Sequence, residues 1–306
     1  AAKAAELYAA SNERGYVPAA TALGLCYELG RGVEKDLEKA VALYRKAAEG
    51  GDVRGQCNLG YCCYQGIGTE MDDVQAARWF EAAAQRSYPR AQFLLGQCRE
   101  FGYGIEQDVD AALALYRKAW EGRHVPAAAS IGLCYELGKG VEVDKAKAVE
   151  FYTLGAEAGD ARAQCNLGFC CYQGIGVKMD DKQAAYWFSK AADQGFARAQ
   201  QLLGECFENG YGVIIDEERA FQLYKQSHTN GHIPGTCSLA YCYESGTGVE
   251  ADPVRAVSLY HEAAEKGYLR AQCNLGFCYY QGIGTEEDND EAFKWFSQAA
   301  EGGYLR

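Results

Sequence analysis

The chain has 306 residues, with 30 Lys and Arg against 42 Asp and Glu, and therefore a formal net charge of -12 at pH 7. Its hydrophobic fraction of 48% and charged fraction of 24% are ordinary globular values, which exclude disorder and collagen-like structure. An acidic chain offers no basic stripe to a phosphate backbone, so nucleic acid is not an expected partner, and no apolar run is long enough for membrane insertion.

A Leu-Gly-x-Cys motif recurs every 36 residues without an insertion, although Ile replaces its leucine once and Ala replaces its glycine once. The first residues of the eight motifs are Leu23, Leu59, Leu95, Ile131, Leu167, Leu203, Leu239 and Leu275. Self-similarity at such a period is typical of solenoids, in which each repeat is one supersecondary unit. We predict an all-α fold, a right-handed α-α superhelix of 36-residue helix-turn-helix repeats with about 17 helices.

The same spacing predicts a single solenoid domain over residues 1–306. Residues 1–17 form a half repeat with the second helix alone, and eight full repeats follow over 18–53, 54–89, 90–125, 126–161, 162–197, 198–233, 234–269 and 270–305. Every third repeat is alike, which gives a super-period of 108 residues. Its clearest instance is the near identity of residues 56–73, 164–181 and 272–289.

Each repeat carries the same signals in chain order. In the second repeat, Gly66 and Gly68 are expected to end the first helix, because glycine adopts the left-handed conformation at a helix C-terminus. Asp72 is expected at the start of the second helix, where a carboxylate accepts free backbone N–H groups. Ala76 and Phe80 then share one face of that helix. The paired glycines have helices on both sides, so they are interpreted as turns and not as a nucleotide loop, which needs a preceding strand.

The 14 cysteines all lie on predicted first helices. Eight of them occupy the position three after the motif leucine, which predicts small buried side chains with reduced thiols and favours a cytoplasmic protein. An alternative is a thiol-rich module in which the vicinal pairs Cys62-Cys63 and Cys170-Cys171 sense redox state or bind soft metals. No histidine column recurs, and no catalytic grouping does, so neither a metal site nor an active site is expected.

These positions resemble the Sel-like repeat (SLR) family, which is related to tetratricopeptide repeats. The residues of the fifth repeat that follow the family pattern are Ala163, Leu167, Gly168, Gly174, Gly176, Asp180, Ala184, Trp187, Phe188, Ala191, Ala192 and Gly195. The resemblance implies a non-enzymatic scaffold or adaptor that binds a protein or an extended peptide without a cofactor. Secreted cysteine-rich members join the two helices of a repeat by disulfides, but here the second helices carry no cysteine. A regulatory array of a larger enzyme is a further alternative.

By analogy with tetratricopeptide-like solenoids, the first helices line a concave groove. We expect positions five and two before the motif leucine, and two and five after it, to face this groove, with asparagines at its border. The candidate partner-binding residues are Arg54, Asn58, Tyr61, Tyr64, Arg162, Asn166, Phe169, Tyr172, Tyr241, Arg270, Asn274, Phe277 and Tyr280. Two roles stay open for the rings, since they could contact a peptide or pack on the next repeat. Open repeat ends could also stack in crystals or oligomers.

Overall fold

A computed structural model describes residues 1–304, and within them the chain forms 17 α-helices and no strand, as predicted. Even-numbered helices are the first helices of the repeats and odd-numbered helices are the second helices. Their bounds are α1 Ala2–Glu13, α2 Val17–Leu29, α3 Leu37–Glu49, α4 Val53–Gln65, α5 Asp73–Gln85, α6 Pro89–Phe101, α7 Val109–Glu121, α8 Pro126–Leu137, α9 Lys145–Glu157, α10 Ala161–Gln173, α11 Asp181–Asp193, α12 Ala197–Asn209, α13 Glu217–Thr229, α14 Ile233–Ser245, α15 Pro253–Glu265, α16 Leu269–Gln281 and α17 Asn289–Glu301.

The paired glycines end the first helices, as predicted. Gly66 follows α4 with φ 68° and donates its backbone N–H to the carbonyl of Cys62. The equivalent glycine has a positive φ in all eight repeats, a conformation that costs glycine nothing. Each first helix therefore ends at the same point of its repeat.

The recurrent aspartates cap the second helices, also as predicted. Asp72 accepts a hydrogen bond of 2.9 Å from the backbone N–H of Gln75, three residues into the helix. The same bond starts the second helix of every full repeat, from Asp36 to Asp288. The acidic surplus of the chain thus includes eight carboxylates with a structural role.

In several repeats the second glycine of the pair has a role that the sequence did not indicate. Gly212 has φ 70°, and a Cβ placed there would overlap the backbone carbonyl of Asp181 in the preceding repeat. Gly104 approaches Asp73, and Gly248 approaches Glu217, in the same way. This glycine therefore lets the loop of one repeat rest directly on the start of the previous second helix.

Within a repeat, the aromatic ring of the second helix lies against the glycine of the Leu-Gly-x-Cys motif. A Cβ on Gly168 would come within 2.8 Å of the Phe188 ring, and one on Gly204 would meet the Tyr224 ring. Phe188 and Tyr224 are each 1% exposed, so this contact lies at the centre of both hairpins. Alanine, leucine and cysteine side chains fill the remaining core.

The chain divides into two compact units, Ala1–Phe151 and Tyr152–Arg306, and the single solenoid domain over 1–306 stays a prediction. Inside each unit the helices follow one another as a repeat helical solenoid. First helices of successive repeats touch each other at α2 and α4 in the first unit and at α12 and α14 in the second. In residues 1–304, no helix combines the length and the apolar composition needed to cross a bilayer.

Candidate functional site

The first helices present a narrow strip of accessible side chains in each unit. The position two after the motif leucine is accessible throughout, and its most exposed rings are Tyr241 at 42% and Phe277 at 41%. The expectation that the position two before the leucine faces the groove is wrong. That position is buried in every repeat, by Thr21, Cys57, Phe93, Ala129, Cys165, Gln201, Cys237 and Cys273. Contact between first helices, as between α2 and α4 and between α12 and α14, contributes to this burial.

In the first unit, two of the candidate rings pack partly against the following repeat. The Arg90 guanidinium lies 5.3 Å from the centre of the Tyr61 ring and donates a 3.2 Å hydrogen bond to Oδ1 of Asn58. Tyr64 contacts Tyr103 with 5.7 Å between ring centres. These rings are half-buried, so they stabilise the stacking of repeats and keep one edge accessible.

The second unit repeats this arrangement at the equivalent residues. The Arg198 guanidinium lies 5.2 Å from the Phe169 ring, and Tyr172 contacts Tyr211 at 5.5 Å. The alternative in which the rings pack on the next repeat therefore describes part of their surface in both units. Arg162 and Asn166 are half-buried beside them.

Several candidate residues meet in cavities along the strip. In the first unit, Arg54 and Asn58 border a cavity of about 570 Å³ together with Leu25 and Arg90. In the second unit, Tyr241 and Arg270 border two cavities, of about 340 and about 460 Å³. The larger of these is lined by Tyr241, Glu244, Arg270, Asn274, Phe277 and Gln281. The sequence thus identified residues that share a cavity, and Glu244 lies five after its motif leucine, a position expected to face the groove.

The last described repeat has the most exposed ring of the strip. Tyr280 is 57% exposed and lines an apolar cavity of about 570 Å³ with Phe277, Phe296 and Tyr304. Its counterparts Tyr64 and Tyr172 are half-buried because Tyr103 and Tyr211 pack on them.

Buried tyrosines of the second helices donate hydrogen bonds to glutamates of the first helices. Tyr224 donates a 2.6 Å hydrogen bond to Oε2 of Glu208, 16 residues earlier. The same bond joins Tyr44 to Glu28, Tyr116 to Glu100 and Tyr260 to Glu244. The sequence contains a signal for it, because the second-helix ring is tyrosine wherever the earlier residue is glutamate. Where that ring is phenylalanine, at Phe80, Phe188 and Phe296, the earlier residue is Tyr64, Tyr172 and Tyr280.

Comparison with known protein families identifies the family to which the chain belongs. The Sel1 repeat model matches eight successive segments, residues 17–52, 53–88, 89–122, 125–160, 161–196, 197–232, 234–268 and 269–304. The chain belongs to the Sel1 repeat family. The resemblance predicted from the fifth repeat is thereby confirmed over almost the whole sequence.

Solved Sel1-type structures have the same fold. A protective antigen of uropathogenic Escherichia coli with an SLR fold is 31% identical, with a TM-score of 0.61 over 97% of this chain and 72% of its own. A Sel1 repeat protein from Oxalobacter formigenes is 30% identical, with a TM-score of 0.67 over 80% of this chain and 96% of its own. A search of curated proteins found no match. Sel1 repeat proteins generally mediate protein–protein interactions, and the family is typically non-enzymatic.

The cysteines of these Sel1 repeats are thiols packed in the core. All 14 are free, and 13 of them are buried. Burial raises the pKa of Cys62 and of Cys165 to about 12, so both are protonated at neutral pH. Within residues 1–304, no group of three or more His, Cys, Asp or Glu side chains is arranged to hold a metal ion.

Proposed function

We propose that this Sel1 repeat chain is a non-catalytic interaction scaffold whose first-helix strips bind a protein or an extended peptide. The observation that carries the proposal is the clustering of Tyr241, Arg270, Asn274 and Phe277 around one open cavity. Side chains of the same types predominate at the centres of protein interfaces, where rings supply contact area and arginine meets carboxylates. Asparagine amides can in addition bond the backbone of an extended segment.

Exposure supports this strip as the contact surface. Tyr241 is 42% exposed and Phe277 is 41% exposed, so each offers ring area that the repeats themselves do not cover. Rings that are buried on one side by their own chain and open on the other are held rigidly, and rigid rings lose little entropy on binding.

The thiol-rich alternative has little support from the cysteine environments. Reactive cysteines are accessible and have lowered pKa values. Cys62 and Cys63 are 2% and 3% exposed, and burial raises the pKa of both thiols. The regulatory array of a larger enzyme stays a prediction, and it is compatible with a protein-binding strip.

Affinity capture from the source cells tests the scaffold proposal with matched variants. Tyr241→Ala combined with Arg270→Ala removes one exposed ring and one cation from the strip. Tyr186→Ala combined with Lys190→Ala removes the same two groups from the second helix α11, where Tyr186 is 50% exposed. We expect the first variant to lose proteins that the intact chain and the second variant retain. Equal retention by both variants would contradict binding at the strip.

A further inference from the structure

The first unit contains a lysine that is bound by the chain itself. Glu100 receives a 2.7 Å hydrogen bond at Oε2 from Tyr116 and a 2.8 Å ion pair at Oε1 from the Lys139 ammonium. That ammonium also lies 5.6 Å from the centre of the Phe101 ring. In this fold, a carboxylate that is fixed by a buried tyrosine and has an aromatic ring beside it thus binds an ammonium group.

One super-period of 108 residues later, the same carboxylate has no lysine. Tyr224 holds Glu208 at Oε2 as Tyr116 holds Glu100. Thr247 stands where Lys139 would be, and its hydroxyl is hydrogen-bonded to Ser245 at 2.7 Å. Within the described residues, Oε1 of Glu208 receives no hydrogen bond and no ion pair.

A second change makes the same place more acidic. Glu205 replaces Gln97, so the later copy has lost one positive charge and gained one negative charge. Burial raises the pKa of Glu205, and the Glu208 charge raises it further, while the Arg270 guanidinium lowers it. A carboxylate in such surroundings is stabilised by any additional cation that reaches it.

These carboxylates border an open cavity and not a closed core. Glu205, Glu208, Tyr211, Tyr241 and Arg270 are among the residues that line the space of about 340 Å³. Tyr211 corresponds to Tyr103 in the first unit, whereas Tyr241 stands where the first unit has Leu133 and adds a ring that is 42% exposed. Rings next to a carboxylate favour an organic cation, because their faces attract positive charge.

We propose that this cavity, bordered by Glu205, Glu208, Tyr211 and Tyr241, binds the ammonium group of a lysine side chain from the protein partner. The inference rests on the proposed scaffold function and specifies its chemistry at one place on the strip. The partner lysine takes the place at Glu208 that Lys139 takes at Glu100. Lysine is favoured over arginine because, in the first unit, the Lys139 ammonium pairs with a single carboxylate oxygen of Glu100.

The direct test uses small probes, so that it does not depend on knowing the partner. Nα-acetyl-lysine N-methylamide is titrated against the whole chain by ligand-observed NMR, with the Nε-acetylated compound as the uncharged control. We expect the charged probe to bind and the acetylated probe to bind about tenfold or more weakly, the effect of one charge-assisted hydrogen bond. Equal binding of both probes, or no binding of the charged probe, would overturn the proposal.

Two substitutions, with a third as the uncharged control, place the binding at this cavity. Glu208→Gln keeps an oxygen for the Tyr224 hydrogen bond and removes the charge, so it should weaken the charged probe by about tenfold. Thr247→Lys should recreate the internal ion pair, raise the thermal midpoint and abolish probe binding. Thr247→Met, of similar length and without charge, should leave binding unchanged. Full probe binding in either Glu208→Gln or Thr247→Lys would contradict the site.

The same variants separate this inference from the scaffold proposal. If captured proteins are lost by the Tyr241 and Arg270 double variant but kept by Glu208→Gln and Thr247→Lys, the strip binds partners and the lysine site is wrong. If the charged probe binds in a Glu208-dependent way while capture does not depend on the strip, the lysine site is supported and the scaffold proposal fails.

Discussion

Tyr260 donates a hydrogen bond of 2.6 Å to Oε2 of Glu244, which lies 16 residues earlier on the preceding helix. Tyr260 is 0% exposed, whereas Glu244 is half-buried and borders the cavity that Tyr241 and Arg270 share. The bond therefore connects the core of a repeat to its proposed binding strip, and it fixes the position of a carboxylate that would otherwise be free to move.

Tyr260→Phe should destabilise the protein by about 1–2 kcal/mol, because it removes the phenolic donor and leaves the Glu244 carboxylate without it. The free energy of unfolding in urea measures the change. Tyr186→Phe is the matched control, since Tyr186 is 50% exposed. Equal stability of Tyr260→Phe and the unsubstituted chain would show that the bond does not stabilise the repeat.

Gly212→Ala should be far more harmful than Gly195→Ala, although both glycines have a positive φ, of 70° and 80°. A left-handed alanine costs about 1–2 kcal/mol at either position. At Gly212 the new Cβ would also overlap the Asp181 carbonyl, whereas nothing lies within 4 Å of a Cβ at Gly195. We expect a total loss of about 3 kcal/mol or more for Gly212→Ala. Similar thermal midpoints of the two variants would refute the stacking role of Gly212.

Asp180→Ala should cost about 1 kcal/mol, because the side chain of Asp180 accepts a 3.0 Å hydrogen bond from the Gln183 backbone at the start of α11. Asp193→Ala removes an exposed carboxylate from the other end of the same helix, where negative charge is unfavourable, and should change stability by less than about 0.5 kcal/mol. Urea unfolding compares them. A larger loss for Asp193→Ala would be inconsistent with capping.

Stability should fall as the pH rises above about 8.5 under reducing conditions, since free thiols ionise near that pH in the unfolded chain. Burial raises the pKa of Cys57 to about 11 and of Cys237 to about 12 in the folded protein. Because the folded values are higher, the contribution is complete below about pH 8.5 and is lost between there and pH 12. Burial and the Glu28 hydrogen bond raise the pKa of Tyr44, which acts in the same direction above about pH 10.

Urea midpoints from pH 7 to pH 10 measure this effect, with up to about 1.4 kcal/mol per pH unit for each thiol. Cys165→Ala should lower stability overall and make the decline with pH shallower, because one titrating group is removed. A midpoint that stays constant from pH 7 to pH 10 would show that the thiols are accessible and ionise freely in the folded chain.

The period of the sequence predicted the helices and their ends well, because glycine and aspartate act locally. Gly66 and Asp72 work within a few residues of their own position, so their roles can be deduced without knowing which helices are neighbours. Burial of the position two before the motif leucine could not be deduced in this way. Thr21, Cys57 and Gln201 have no polarity in common, and all three are buried in the folded chain.

The tyrosine–glutamate bonds were missed for a related reason. They depend on the register between two helices, which neither helix specifies alone. Their signal was nevertheless present, since Tyr224 accompanies Glu208 whereas Phe188 accompanies Tyr172. Correlated positions within a repeated sequence indicate contact just as correlated positions between relatives do.

The most direct test of the binding strip is site-specific photocrosslinking in the cells that produce the chain. A benzophenone amino acid replaces Tyr241 on the strip in one variant and Tyr186 on the second helix α11 in another, two sites that are 42% and 50% exposed. We predict that position 241 crosslinks to one or a few discrete proteins and that position 186 does not. Discrete crosslinks from position 186 and none from position 241 would contradict the account.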